Sequence, residues 1–257
     1  MILEALNFAA TYPLTPRRRR HEISSSVSLW ARSRRAARHW RTHEEACHQE
    51  VSAIVATLPN TRRAVAVLGS GLLRDVPIQL LSEQFDRVYL YDLQHLASVR
   101  IWARLSGLAN LEFQTRDLSG MEQLAEKPGA QPRPLAFLKE IPDLDLAVSA
   151  NLLSQIGVGI GRMVAADPTL PRQAAERLIA AHVEGLQSLK TSSLLLTDRS
   201  YEVIDKAGNV LERDDLMKGV ELPPARAEWS WTVAPYGELS PDYQAVHQVV
   251  SIPINAS

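Results

Sequence analysis

The sequence is short of the residues from which several functions are built. Cys47 is its single cysteine, so no disulfide can close within the chain, and the expectation is a cytoplasmic protein in a reducing compartment. No apolar run reaches the roughly 18 residues that a membrane span needs. No Gly-x-Ser-x-Gly elbow occurs, which removes the simplest serine-hydrolase reading. His43, Cys47 and His48 start a metal cluster on one helix, but no second ligand group has matching spacing, so no metal is expected. Neither sign of charge dominates, with a net charge of −1, and 46% hydrophobic against 22% charged residues is ordinary for a globular protein. A chain of 257 residues can bury the core of one large α/β domain and still carry an appendage.

The even total hides an uneven distribution. Residues 1–41 hold nine arginines against Glu4 and Glu22, giving +7 and leaving −8 for the rest. The run Arg17-Arg18-Arg19-Arg20-His21 suits phosphate groups of nucleic acid or of an anionic lipid surface, but no interleaved aromatic pattern accompanies it, and a solvated basic arm over 1–22 is the expectation. No apolar core follows the arginines, so a twin-arginine export signal fails. A transit peptide is disfavoured because Ile23, Val27, Trp30, Ala37, Trp40, Cys47, Val51, Ile54 and Leu58 continue one helical stripe. Residues 23–59 therefore read as a helical extension, capped at Ser24, Ser25 or Ser26, broken near Arg41 and stopped by Pro59-Asn60.

Residues 64–75, Ala-Val-Ala-Val-Leu-Gly-Ser-Gly-Leu-Leu-Arg-Asp, carry the most information. An apolar strand stops at Gly69-Ser70-Gly71 and a helical pattern begins at Asp75, which gathers backbone amides around a ligand at a helix start. A second strand, 85–92, ends in Asp92, 23 residues after Gly69, where a carboxylate can accept both hydroxyls of a ribose diol. A third, 111–115, leads to Asp117-Leu118, and a fourth, 144–149, leads to Asn151-Leu152-Leu153-Ser154-Gln155. A fifth covers 192–198, a hairpin turns around Lys206-Ala207-Gly208, and 228–234 with 243–252 alternate as an antiparallel pair. Between them, 151–165 reads as helical despite three glycines, Asp167-Pro168 as a turn, and 174–189 as a helix with His182 on its apolar side as a hydrogen-bonded interior residue.

In this pattern the chain resembles the class I S-adenosylmethionine-dependent methyltransferases over roughly residues 60–252. The resemblance implies a Rossmann-like sheet of five parallel strands plus a terminal antiparallel pair, with 60–257 as the domain and the N-terminal helix as a lid. It implies S-adenosyl-L-methionine as cofactor, the turn Gly69, Ser70 and Gly71 around its methionine end, Asp92 followed by Leu93 on the ribose, Asp117 and Leu118 near the adenine, and Asn151 facing the transfer site. Two positions depart from the family pattern: Val67 stands where an acid is usual and Leu73 where a third glycine is usual. Asp75, one turn on, is the candidate substitute carboxylate.

Ser154 and Gln155 are the candidates to orient a polar acceptor, and His247 is the candidate proton acceptor. Trp229 and Trp231 share one strand face and can line a pocket, with Trp30 and Trp40 as partners. Asn-Leu-Leu-Ser after the fourth strand departs from the Asn-Pro-Pro-Tyr-like motif of base N-methylating relatives, which favours a small-molecule acceptor. The alternatives are a non-catalytic binding protein on the same fold, or an RNA methyltransferase using the basic arm. A dinucleotide dehydrogenase would need glycine at position 74, where Arg74 stands.

Overall fold

The computed structural model describes residues 1–127, 131–166 and 173–255. The turn expected at Asp167-Pro168 lies outside them. Eight strands form one sheet: β1 (Ala64–Leu68), β2 (Arg87–Asp92), β3 (Leu111–Thr115), β4 (Leu144–Ala150), β5 (Ser192–Asp205), β6 (Val210–Asp215), β7 (Ala227–Ala234) and β8 (Tyr243–Ile254). Their order is β3-β2-β1-β4-β5-β8-β7, with β6 paired to the outer half of β5. The first five pair in parallel and β8 and β7 pair antiparallel, so the expected Rossmann-like methyltransferase sheet is present. Reversal of strand order on either side of β1 opens a crevice at the carboxyl ends of β1 and β4, where such sheets bind ligands.

Alternation along β1 divides the core into two layers. Val65 and Val67 face α2 (Ile23–Arg35), α3 (Ala37–Thr57), α4 (Ile78–Gln84) and α5 (Ala97–Leu105), through Ile23, Val27, Val51, Ile54, Leu81 and Val99. Ala64, Ala66 and Leu68 face α6 (Met121–Glu126), α7 (Leu153–Ala166) and α8 (Ala174–Gln187), through Leu124, Ile156, Leu178 and Leu186. No described helix is long and apolar enough to cross a membrane.

The first 22 residues are folded onto the domain. Helix α1 (Ile2–Thr11) lies against the start of α5, where Thr11 Oγ1 accepts from Ala97 N at 2.9 Å and Asn7 Oδ1 accepts from Ser98 N at 3.3 Å. Those two side chains cap a helix that has no cap of its own. In the following 3-10 segment Arg19 pairs with Glu122 at 2.6 Å and the Arg20 guanidinium sits 4.0 Å over the Tyr12 ring. Residues 23–57 form two helices, with the expected break displaced. The chain turns at Ala36, five residues before the expected break, and α2 starts without a serine cap. Ala36 is buried under Trp40 and Trp231, so tertiary packing and not helix propensity sets the break.

His182 is the interior histidine the pattern indicates. It is fully buried, Ser149 Oγ lies 3.0 Å from its Nε2, and its Nδ1 faces the Leu118 carbonyl at 3.4 Å. Burial pushes its pKa down to about 4, from 6.5, and burial followed by the nearby Arg100 charge pushes His95 down to about 3. As pH falls below 6.5 an unfolded histidine takes up a proton that the folded one refuses. Stability is therefore held above 6.5 and lost as pH falls toward 4, by about 1.4 kcal/mol per pH unit for each histidine. Urea unfolding at a series of pH values is expected to show this slope and His182→Asn to remove about half of it, His95 supplying the rest; equal wild-type stability across that window would contradict the buried neutral state.

Candidate functional site

The glycine turn sits at the sheet crevice with two different steric demands. Gly69 has φ +76°, and a Cβ there would stand 2.9 Å from the Ala150 carbonyl oxygen and 3.1 Å from Leu152 Cβ. Only glycine lets β1 end this close to the end of β4. Gly71, at φ +38°, has its N–H held by Asp92 Oδ2 at 2.7 Å, and a Cβ there would meet nothing nearer than that oxygen at 3.6 Å. Leu73 adopts φ +58°, the left-handed conformation that a third glycine would supply, and buries its side chain in the core. The turn's shape thus survives the departure at 73, while Val67 is a fully buried core residue.

Asp92 ends β2 beside this turn. Burial pushes its carboxyl above the ordinary carboxylate range, against the amides of Gly71, Gln94 and Leu93 that hold it down. Beneath the turn, Ser70 Oγ lies 2.8 Å from His95 Nε2 and 3.4 Å from the Tyr91 carbonyl, so the hydroxyl can donate to the carbonyl and accept from His95. His95 was not legible as a site residue; its signal is its place three residues after Asp92. Asp117 reaches the same edge, but its oxygens accept from Ser119 N at 2.9 Å and Glu122 N at 3.0 Å and so start α6. Leu118 points into the core and Leu93 is half-buried.

Helix α3 covers the segment after the turn. Glu44 pairs with Arg74 at 2.6 Å, His48 Nε2 donates to the Arg74 carbonyl at 2.8 Å, and His43 Nε2 lies 3.4 Å from Asp75. The Trp229 indole N–H donates to His43 Nδ1 at 3.0 Å, which commits that lone pair and leaves the imidazole proton on Nε2, facing Asp75. Burial would raise the Asp75 carboxyl, but hydrogen bonds from His43 and Asn151 outweigh it and hold it below its usual range. Cys47, whose Sγ is 3.6 Å from His43 Nε2, has its thiol pushed well up by burial and then by the Asp75 and Asp198 charges. His43, Cys47 and Asp75 come close enough together for a metal ion, yet the proton on Nε2 makes the cluster a hydrogen-bonded one.

The two tryptophans lie on one strand face, as the alternation indicates. Pairing sets Asp198 opposite Val249 and Trp229 opposite Val249, then Tyr201 and Trp231 both opposite His247. A bulge between Asp198 and Ser200 lets Tyr201, three residues on, share the face of Asp198. Trp231 stacks flat on His43 at 4.0 Å, meets Trp40 edge-on at 5.1 Å, and contacts His247 edge-on at 5.8 Å.

Two of the three expected chemistry-bearing residues meet here, through a residue the sequence reading missed. Asp198 Oδ2 accepts from Ser154 Oγ at 3.1 Å and pairs with His247 Nδ1 at 2.8 Å. Asp198 is buried, and its other oxygen, Oδ1, has no partner among the described residues. Its sequence signal is an acid two residues after the apolar run 194–196. Gln155 is exposed and bonds back to the Asn151 carbonyl at 2.8 Å, so it braces the start of α7. Asn151, at φ +48°, is buried, and its side-chain amide lies 3.1 Å from His43 Nε2. Gln94, two residues past Asp92, is also buried, and both its amide atoms lack a partner among the described residues. Orphaned polar groups beside an open glycine turn fit a polar ligand such as S-adenosylmethionine, because an unmet buried hydrogen bond costs about 1–3 kcal/mol.

No family model matches the chain. Among curated proteins, a glycerol-3-phosphate dehydrogenase (NAD(P)+) of Ruegeria sp. strain TM1040 is 32% identical over 120 residues, covering 44% of this chain and 38% of that protein. The chain therefore spans well under half the length of that relative. Among solved structures, an rRNA methylase from Streptococcus thermophilus is 12% identical with a TM-score of 0.34, covering 78% of this chain and 93% of its own. The glycopeptide N-methyltransferase MtfA, solved with S-adenosyl-L-methionine, is 14% identical with a TM-score of 0.35, covering 78% and 75%. By its own strand order, glycine turn and terminal antiparallel pair, the chain has the fold of the class I methyltransferases.

Proposed function

We propose that this protein binds S-adenosyl-L-methionine at the carboxyl ends of β1, β2 and β4 and methylates a small-molecule acceptor held beside His247. The observation that carries the reading is the placement of the glycine turn, Asp92 and Asn151 at one sheet crevice, with the Asp198–His247 pair on β5 and β8 just past the end of β4. The cofactor, when bound, supplies an electrophilic methyl group. Asp92 takes the ribose hydroxyls on lone pairs that its backbone donors leave open, and Asp75 is the carboxylate available to the ammonium end. Asp198 fixes the His247 tautomer, with the proton on Nδ1 and the lone pair on Nε2, ready to accept the acceptor's proton. Ser154, held by the same Asp198 oxygen, orients the acceptor.

Two observations weigh against the other readings. The dinucleotide reading needs glycine at 74, yet Arg74 is pinned by Glu44 and His48. The RNA reading needs a free basic arm, yet Arg19 and Arg20 are engaged by Glu122 and Tyr12.

Calorimetric titration with S-adenosylmethionine and S-adenosylhomocysteine tests the proposal. The wild type is expected to bind both, and Asp92→Ala, which removes the charged ribose contact, to weaken binding at least about a hundredfold. Absence of binding by the folded wild type would sink the reading; unchanged binding by Asp92→Ala would move the pocket elsewhere.

A further inference from the structure

One layer of the molecule carries exposed apolar side chains together with exposed arginines. Helices α1 and α5 both pack on the α2–α3 side of the sheet, through Phe8 and Val99. They turn outward Ile2 (77% exposed), Leu3 (54%) and Leu6 (61%) from α1, and Ile101 (56%), Trp102 (41%) and Leu105 (82%) from α5. Asn7 and Thr11 are the residues by which α1 grips α5; Ile2 and Leu6 lie away from that row, while Leu3, one turn before Asn7, is exposed on it. Exposed apolar clusters of this kind mark contact surfaces. Between α1 and α2 runs an open groove of about 460 Å³, walled by Ile2, Leu3, Trp30 and Ala31, with Arg34 and Arg35 at its rim and Glu4 as its acid.

The surrounding charge identifies the occupant. Residues 1–41 carry +7; Arg34 on α2, Arg38 and Arg41 on α3 and Arg104 on α5 are exposed on this layer, while Arg18 and Arg19 pair with Glu122 and Arg35 with Glu238. A second copy of the chain would bring this positive surface against itself, which disfavours a symmetric dimer here. Nucleic acid would satisfy the arginines and leave the aliphatic side chains uncovered. An anionic bilayer satisfies both, with apolar side chains in the acyl boundary and arginines on headgroup phosphates.

We propose that this face docks on anionic phospholipid membranes, with α1 lying in the interface and α5 beside it. The contact is peripheral and independent of the methyltransferase reading.

Sedimentation of the full chain with vesicles tests it, comparing pure phosphatidylcholine with a phosphatidylcholine and phosphatidylserine mixture. Binding is expected to the anionic vesicles alone, to weaken as salt rises, and to fall about tenfold or more in Leu3→Glu/Leu6→Glu. Both sites are exposed, so the variant is expected to fold, which circular dichroism checks; Trp102→Ser/Leu105→Glu provides a second, separate disruption. Failure of the folded wild type to bind anionic vesicles overturns the proposal. So does a dimer in sedimentation velocity that Leu3→Glu/Leu6→Glu dissociates, or binding to RNA that vesicles do not compete away.

Discussion

Trp231→Ala is expected to lower the unfolding free energy by about 3–5 kcal/mol, the range for truncating a buried tryptophan. The site gives the loss three parts. Trp231 provides the surface on which His43 stacks, the partner that Trp40 meets edge-on, and one wall beside His247. Trp40 also donates its indole N–H to the Val233 carbonyl at 3.1 Å, so this small aromatic cluster joins α3 to β7. Removal of Trp231 therefore has a spatial signature: hydrogen exchange is expected to accelerate in residues 37–57 well beyond the change in the sheet. Trp102→Ala is the control, since that ring is exposed on α5, and its effect is expected within about 0.5 kcal/mol. A loss below about 1 kcal/mol for Trp231→Ala, or exchange that rises uniformly, would mean that the aromatic stack does not hold α3 in place.

Gly69→Ala is expected to cost about 3 kcal/mol or more, while Gly71→Ala costs about 1–2 kcal/mol. Both glycines lie at positive φ, so both substitutions carry the left-handed penalty. Only at Gly69 does the added methyl meet backbone, the Ala150 carbonyl at 2.9 Å, and neither β1 nor β4 can move aside without breaking its pairing. The difference between the two variants in thermal or urea unfolding isolates the close approach of the two strand ends. Equal losses would show that the approach is relaxed in solution. Because the Gly71 amide is the donor to Asp92, the milder variant also perturbs ligand binding more than its stability loss indicates.

These two sites show where the sequence is legible and where it is not. The strand ends, the glycine turn and Asp92 follow from local patterns: apolar runs of strand length, glycines where the chain must turn, and an acid where a strand stops. The strand face shared by Trp229 and Trp231 follows from alternation alone. Asp198 does not, because its role depends on a bulge at Arg199 that sets it diagonal to His247, and a bulge leaves no periodic trace in one sequence. His43 and Asp75 are 32 positions apart and meet only because α3 crosses the turn, so a cluster search along the helix finds His48 as the partner and misses Asp75. Ala36 is the reverse case, a strong helix former at which the helix ends, since the tryptophans beneath it decide the chain direction. The arginine run reads as a solvated arm by composition. Its neighbours in space, Glu122 and Tyr12, turn it into folded structure.

The remote cap on α5 also bears on the order of folding. Ala97 and Ser98 receive their acceptors from residues 86 and 91 positions earlier, so the first turn of α5 completes only after the opening segment has closed a long loop. Helix α1 thus takes its place on α5 through contacts that are distant in sequence. Until then α1 is an unattached stretch of ten residues, too short to hold a helix by itself in water. Its apolar face is assembled as a surface only when the domain beneath it is finished.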